Sequence, residues 1–91
     1  MKSVRISNNA AWLAESDELL MVNHFTNKAI VLKSNSKEMV ELIIAGTSIQ
    51  DVITQMSKKY NRNIDEMESE VDVFLNKLQS VGFIESNETS V

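Results

Sequence analysis

The chain has 91 residues, which is enough for one domain with a single modest core. It contains no cysteine, so disulfides, thiolate chemistry and cysteine-type zinc sites are excluded, and this composition fits a reducing cytoplasm. The net charge is −4 and no apolar run approaches the roughly 20 residues of a membrane span. We therefore expect a cytoplasmic protein that binds neither nucleic acid nor membrane.

The first third of the chain predicts a small antiparallel sheet. Three short apolar runs, residues 11–15, 19–23 and 29–33, are separated by segments rich in turn-forming side chains. Three runs joined by two turns form a meander, in which sequence neighbours are also neighbours in the sheet. The strand at 29–33 is then an edge strand. Residues 3–7 alternate between apolar and polar side chains and are expected to be extended.

The predicted edge strand is Ala29-Ile30-Val31-Leu32-Lys33. An edge strand has a row of unpaired backbone N–H and C=O groups, and proteins usually protect it because it templates pairing with another chain. Here a single lysine at the far end is the only such protection, and the chain has no proline. The edge is therefore either a docking site for an extended peptide or a strand covered by residues 3–7 or by a second copy.

After residue 33 the apolar period changes from two to 3.6, which predicts three helices. The first is expected to be capped by an oxygen of Ser34-Asn35-Ser36, and Gly46 is expected to end it. Ser48 begins a capping-box-like motif for the second helix, and Asp65 is the expected cap of a third helix over residues 65–81. Residues 1–10 form an N-terminal extended segment and residues 86–91 are polar, so we predict disorder there.

Several stretches together resemble a known family. They are Ile30-Val31-Leu32 leading into Met39-Val40-Glu41-Leu42, the run Ala45-Gly46-Thr47-Ser48-Ile49-Gln50-Asp51-Val52-Ile53, and Val71-x-x-Phe74-Leu75-x-x-Leu78 leading into Gly82-Phe83-Ile84. In this order and spacing, residues 11–85 are similar to the PqqD-like family, also called the recognition element for ribosomally synthesised and modified peptides (RiPPs).

The resemblance implies an α+β fold, with a three-stranded antiparallel sheet followed by three helices in a winged helix-turn-helix-like arrangement. It also implies a peptide chaperone without catalytic residues, metal or cofactor. Such a protein binds the leader segment of a precursor peptide by strand addition and delivers it to a separate modifying enzyme. That enzyme is a radical-SAM maturase or a leader peptidase of the lasso-peptide type. The chain itself is expected to be a monomer or a strand-exchanged dimer.

The family places the leader on the third strand, here 29–33, in a groove beside the third helix. On a helical wheel the core stripe of that helix is Met67, Val71, Phe74 and Leu78. The predicted groove wall is the flank just beyond that stripe, and its residues are Glu68, Asp72, Leu75 and Gln79. The opposite flank, with Glu70, Val73 and Lys77, stays open as the alternative.

A nucleic-acid binder and an enzyme are the two alternatives to this interpretation. A winged-helix nucleic-acid binder would use the third helix for recognition, but that helix begins with five acids, which repel phosphates. An enzyme would need a nucleophile–base pair, a glycine-rich phosphate loop or a metal cluster, and the sequence shows none of these. The single histidine, His24, falls in a predicted turn without a paired base.

Overall fold

The structure, a computed structural model, describes residues 2–88. Two sheets and three helices pack around one core in this part of the chain. The elements in chain order are β1 (Lys2–Ile6), β2 (Ala10–Ala14), β3 (Glu18–Asn23), β4 (Lys28–Lys33), α1 (Ser34–Ile44), α2 (Ile49–Lys59), α3 (Ile64–Ser80) and β5 (Ile84–Glu88). The predicted α+β class, with a three-stranded antiparallel sheet followed by three helices, is confirmed.

The meander has the predicted strand order, β2-β3-β4, with both pairs antiparallel. Alternate side chains point to opposite faces of a strand, so this register determines which residues meet the helices. Leu19 and Met21 of β3 are fully buried against them, as is most of Leu32 of β4. Within residues 2–88, β4 pairs with β3 alone, so its other edge is open.

A second, two-stranded sheet was not predicted. β1 pairs antiparallel with β5, from Lys2 opposite Glu88 to Ile6 opposite Ile84. The predicted disorder is therefore wrong for residues 86–88, and residues 89–91 lie outside the described part. Since β1 is paired with β5, residues 3–7 do not cover the edge of β4. Of the two covers considered for that edge, only a second copy of the chain is left.

The helix starts show where local sequence chemistry decides the fold. Ser48 caps α2, because its side chain accepts a hydrogen bond from the Asp51 N–H at 3.1 Å. α3 is capped by Asn63 instead of the predicted Asp65, and its Oδ1 accepts from two backbone N–H groups. The predicted serine or asparagine cap of α1 is wrong, because the chain passes directly from β4 into the helix and Lys33 occupies the capping position.

Two glycines end helices as predicted. Gly46 follows α1 with φ of 88° and Gly82 follows α3 with φ of 87°, a region that side-chain-bearing residues rarely adopt. At the end of α3 the Gly82 N–H donates to the Gln79 carbonyl and the Phe83 N–H donates to the Leu78 carbonyl. This turn directs Phe83, which is fully buried, back into the core.

One buried polar residue ties the sheet to the helical layer. The Asn23 amide is 3% exposed and donates from Nδ2 to the Gly82 carbonyl at 2.7 Å. Its Oδ1 accepts from the N–H groups of Phe25 and Thr26 in the β3–β4 turn. Asn23 therefore links the end of β3 and the β3–β4 turn to the end of α3.

Candidate peptide-binding site

The open edge of β4 carries two kinds of side chain. Ile30 is half-buried and Leu32 is 8% exposed, and both point towards the helices. Ala29, Val31 and Lys33 are exposed on the other face, with Val31 51% exposed. The five predicted strand residues thus lie on one continuous edge, and any peptide added there would follow the same alternation.

The far end of this edge carries the expected lysine, but that lysine is engaged. Lys33 Nζ lies 3.2 Å from Glu18 Oε1 on β3, its partner in the strand register. A charged pair on exposed cross-strand positions stabilises the sheet weakly. It involves side chains only, so within residues 2–88 the backbone of β4 pairs with no strand other than β3.

Two residues of the predicted groove wall on α3 border a pocket on the β1 and α2 side of that helix. Glu68 and Asp72 are exposed and border a pocket together with β1, the α1–α2 turn and the start of α2. No β4 residue borders that pocket. The sequence interpretation placed both acids in one groove with strand 28–33, and that arrangement stays a prediction.

The other two predicted wall residues differ from one another. Leu75 is 2% exposed and belongs to the core of the free chain, and its contact with a leader side chain stays a prediction. Its burial has a physical cause, because α2 and β5 both pack on α3 and widen its buried face. Gln79 is exposed near the end of the helix.

The opposite flank of α3 is the more apolar surface. Val73 is 69% exposed, and Phe74, which was predicted to be core, is only half-buried at the margin of the core. They border a shallow apolar depression whose rim is Ser69, Glu70 and Lys77, and no β4 residue borders this depression either. The sign of this apolar surface in the sequence is Val73, which lies outside the helical stripe of α3. The helical pattern alone does not show which flank of α3 faces β4.

Charges on this flank are balanced by a neighbouring arginine. Arg62 Nη2 lies 2.6 Å from Glu70 Oε1 and 3.6 Å from Glu66 Oε2. The hydrogen bond to Glu70, with the attraction of both carboxylates, raises the pKa of Arg62. Glu70, which borders the depression beside Val73 and Phe74, is thus paired with a cation at the surface.

Groups that would support other chemistry are sparse in the described residues. No cluster of three or more histidine, cysteine, aspartate or glutamate side chains in residues 2–88 has a geometry that would hold a metal ion. His24 lies exposed in the β3–β4 turn. No helix of the described part has the length and apolarity needed to cross a membrane.

Comparison with known proteins gives consistent matches. The family model described as coenzyme PQQ synthesis protein D (PqqD) matches residues 18–84. A solved structure described as TbiB1 in complex with the TbiA(beta) leader peptide superposes with a TM-score of 0.87 at 16% identity, covering 94% of this chain and 99% of that chain. A second, lasso peptide synthetase B1 complexed with the leader peptide, has a TM-score of 0.83 at 13% identity and covers 91% and 98%.

No curated protein matches the chain in the sequence comparison. At identities of 16% and 13% the two solved structures establish a shared fold over nearly the whole chain. The family model covers β3, β4 and all three helices, which are the elements that form the open edge and its surroundings. The chain therefore belongs to the PqqD family.

Proposed function

We propose that this chain binds the leader segment of a ribosomally synthesised precursor peptide as an added strand on β4. The observation that carries the proposal is the open, apolar edge of β4, which no other described strand covers. Membership of the PqqD family and the leader peptides present in two structures of the same fold support it. Main-chain hydrogen bonds along the edge supply affinity, and pockets for alternate side chains supply selectivity.

We place the second wall of the groove on the flank of α3 that carries Val73 and Phe74. The flank with Glu68 and Asp72 is polar and opens on a pocket beside β1 and α2, whereas Val73 and Phe74 offer apolar surface. Phe74 and Ile30 are both half-buried and pack at the margin of the same core. Leader side chains that point inward would thus rest on apolar surface, and we expect a leader with apolar residues at alternate positions. A segment of six to ten residues buries less than a standard interface, so its Kd is roughly micromolar to high nanomolar.

The chain presents its ligand and does not alter it. A separate modifying enzyme then acts on the bound precursor. Because one structural neighbour is described as a lasso peptide synthetase B1, the first candidate for that enzyme is a leader peptidase of the lasso type, and a radical-SAM maturase is the second. The nucleic-acid alternative is disfavoured at α3, the helix that it would use for recognition. The acids at 65, 66, 68, 70 and 72 are all exposed there, and they repel phosphates.

The test is a nuclear magnetic resonance titration of the isotope-labelled chain with the synthetic leader encoded beside it. We expect the largest shifts at the amides of residues 28–33, with the precursor recovered unchanged in mass. β2 is the other edge strand of the same sheet and serves as an internal control. A leader that shifts β2 but not β4, or that shifts neither, would refute strand addition at this edge. A scrambled leader of equal composition controls for non-specific apolar contact.

A further inference from the structure

β2 is the second open edge of the three-stranded sheet, and it is less protected than β4. Within residues 2–88 it pairs with β3 alone. Its sequence, Ala10-Ala11-Trp12-Leu13-Ala14, contains no charged residue and no proline, whereas β4 begins and ends with a lysine. Charged side chains and proline are the usual means by which proteins prevent pairing at a sheet edge. An apolar edge that lacks both is typical of a strand that pairs with another chain.

Both faces of β2 are also exposed. Its residues from Ala11 to Ala14 are exposed on either face of the sheet. Trp12 lies in one row with Met21 and Ile30, on the face that packs against the helices. Met21 is fully buried in that row, but Trp12 is 46% exposed. The only tryptophan of the chain thus lies partly in solvent at the edge of the sheet.

Hydrogen bonds within the hairpin determine which backbone groups of β2 face the open edge. The Glu15 N–H donates to the Glu18 carbonyl of β3 at 2.8 Å. Hydrogen-bonded and non-hydrogen-bonded positions alternate along an antiparallel pair, so the odd-numbered residues of β2 bond to β3. The even-numbered residues direct their groups to the open edge, except that the Ala10 N–H donates to the Ser7 carbonyl in the preceding turn.

We propose that the open edge of β2 binds a second copy of this chain in a two-fold symmetric, antiparallel pair centred on Trp12. This is the two-fold register in which all five residues of β2 are paired. It sets the even-numbered residues opposite one another, so their free backbone groups meet. The Trp12 residues of the two copies exchange two hydrogen bonds, and each Ala14 N–H reaches the Ala10 carbonyl of the other copy, which gives about four bonds.

The side chains of β2 are self-complementary in this register. Residues opposite one another in an antiparallel pair share a face of the sheet, so the two Trp12 rings meet on the helix side, and cross-strand aromatic pairs stabilise a sheet. On the outer face Ala11 lies opposite Leu13 of the second copy, so a small side chain meets a large one on both sides of the axis. A two-fold interface requires a surface that matches itself in this way, and β2 has no charge that would oppose its own copy.

The size of the interface sets the expected strength of the dimer. A five-residue strand with one tryptophan buries on the order of 400 Å² per copy, about half of a standard interface, so we expect a Kd of roughly tens of micromolar. β4 is the far edge strand in each copy, so two three-stranded sheets join into one and both β4 edges stay open. The inference goes beyond the proposed function, because the dimer forms without a leader and would carry two leader sites.

Sedimentation velocity of the full chain, from about 1 µM to about 1 mM, spans the expected Kd and measures the dimer directly. Trp12 is the only tryptophan, so the wild-type fluorescence maximum should move to longer wavelength as the dimer is diluted. Trp12→Lys sets two like charges opposite one another on the axis and should raise the dimer Kd tenfold or more. Phe25→Lys is the matched control, since Phe25 is an aromatic side chain, 81% exposed, in the β3–β4 turn outside the paired strands, and it should keep the Kd within about twofold.

Ala14→Pro is the second variant, and it keeps the test valid if Trp12→Lys fails to fold. It removes an N–H that the dimer uses, and an edge strand tolerates proline where its N–H faces solvent. It should also raise the dimer Kd tenfold or more. A wild-type chain that stays monomeric up to about 1 mM would overturn the proposal, and so would a dimer that neither variant weakens, since its interface then lies elsewhere. These measurements contain no leader, so their result is independent of whether the leader binds to β4.

Discussion

The choice between the two flanks of α3 gives the sharpest test of the binding groove. Val73 is 69% exposed in the free chain and lies on the flank that we assign to the leader. If the leader covers about 60 Å² of this side chain, apolar burial contributes roughly 1.5 kcal/mol at about 25 cal/mol per Å². Serine keeps Cβ but has a hydroxyl in place of the two methyl groups, so Val73→Ser should lose about 1 kcal/mol and raise the leader Kd roughly fivefold.

The assay is isothermal titration of each variant with the synthetic leader. Valine and serine have similar helix propensities, so the free energy of unfolding should change by less than about 0.5 kcal/mol. Asp72→Ser is the matched control, since Asp72 is the preceding residue, is exposed, and lies on the opposite flank with β1 and α2. It should leave the Kd unchanged within about twofold, as expected for a surface change away from the contact.

The reverse result would refute the assignment. If Asp72→Ser weakens leader binding and Val73→Ser does not, the wall is the flank with Glu68 and Asp72, and the pocket beside β1 and α2 takes part in recognition. If neither variant changes the leader Kd while the leader still shifts the amides of β4, strand addition stands but α3 does not contribute a wall to the groove.

Two further predictions concern folding and ionisation. Gly82→Ala should destabilise the chain by more than Gly46→Ala in urea unfolding, because a Cβ at Gly82 would lie 2.8 Å from Asn23 Nδ2 whereas a Cβ at Gly46 meets nothing within 4 Å. Both glycines have positive φ, so about 1 kcal/mol of backbone strain is common to the two variants. Glu38→Gln should lower the pKa of Lys59 towards 10.5, measured by nuclear magnetic resonance, because the hydrogen bond from Lys59 to Glu38 raises that pKa. The stabilisation from this pair is complete below pH 10.5 and is lost as the pH rises through the folded pKa of Lys59. The free energies of unfolding of the wild type and of Glu38→Gln should therefore converge in that pH range.

The elements that the sequence predicted well are those with strong local signals. The meander follows from apolar runs of strand length divided by turn residues, and its order leaves 29–33 at the edge without any long-range information. Gly46 and Gly82 end helices because only glycine enters the left-handed region cheaply. These features depend on a few neighbouring residues, so the pattern was sufficient.

The elements that were missed depend on contacts between distant segments. β5 is a polar strand by composition, and its pairing with β1 joins residues about 80 positions apart. α2 and β5 pack on α3, which buries Leu75, whereas Glu68 and Asp72 stay exposed beside β1 and the start of α2. A helical wheel shows which residues share a flank, but it does not show which flank the rest of the fold occupies.

The alternation of β4 makes register the basis of the proposed leader selection. A leader added to β4 would turn one set of side chains towards the face of Ile30 and Leu32 and the other set towards the face of Ala29 and Val31. A shift of one residue in register exchanges the two sets completely. A leader with apolar residues at alternate positions would therefore keep its inward apolar contacts in one register only, and a leader without that alternation should bind more weakly.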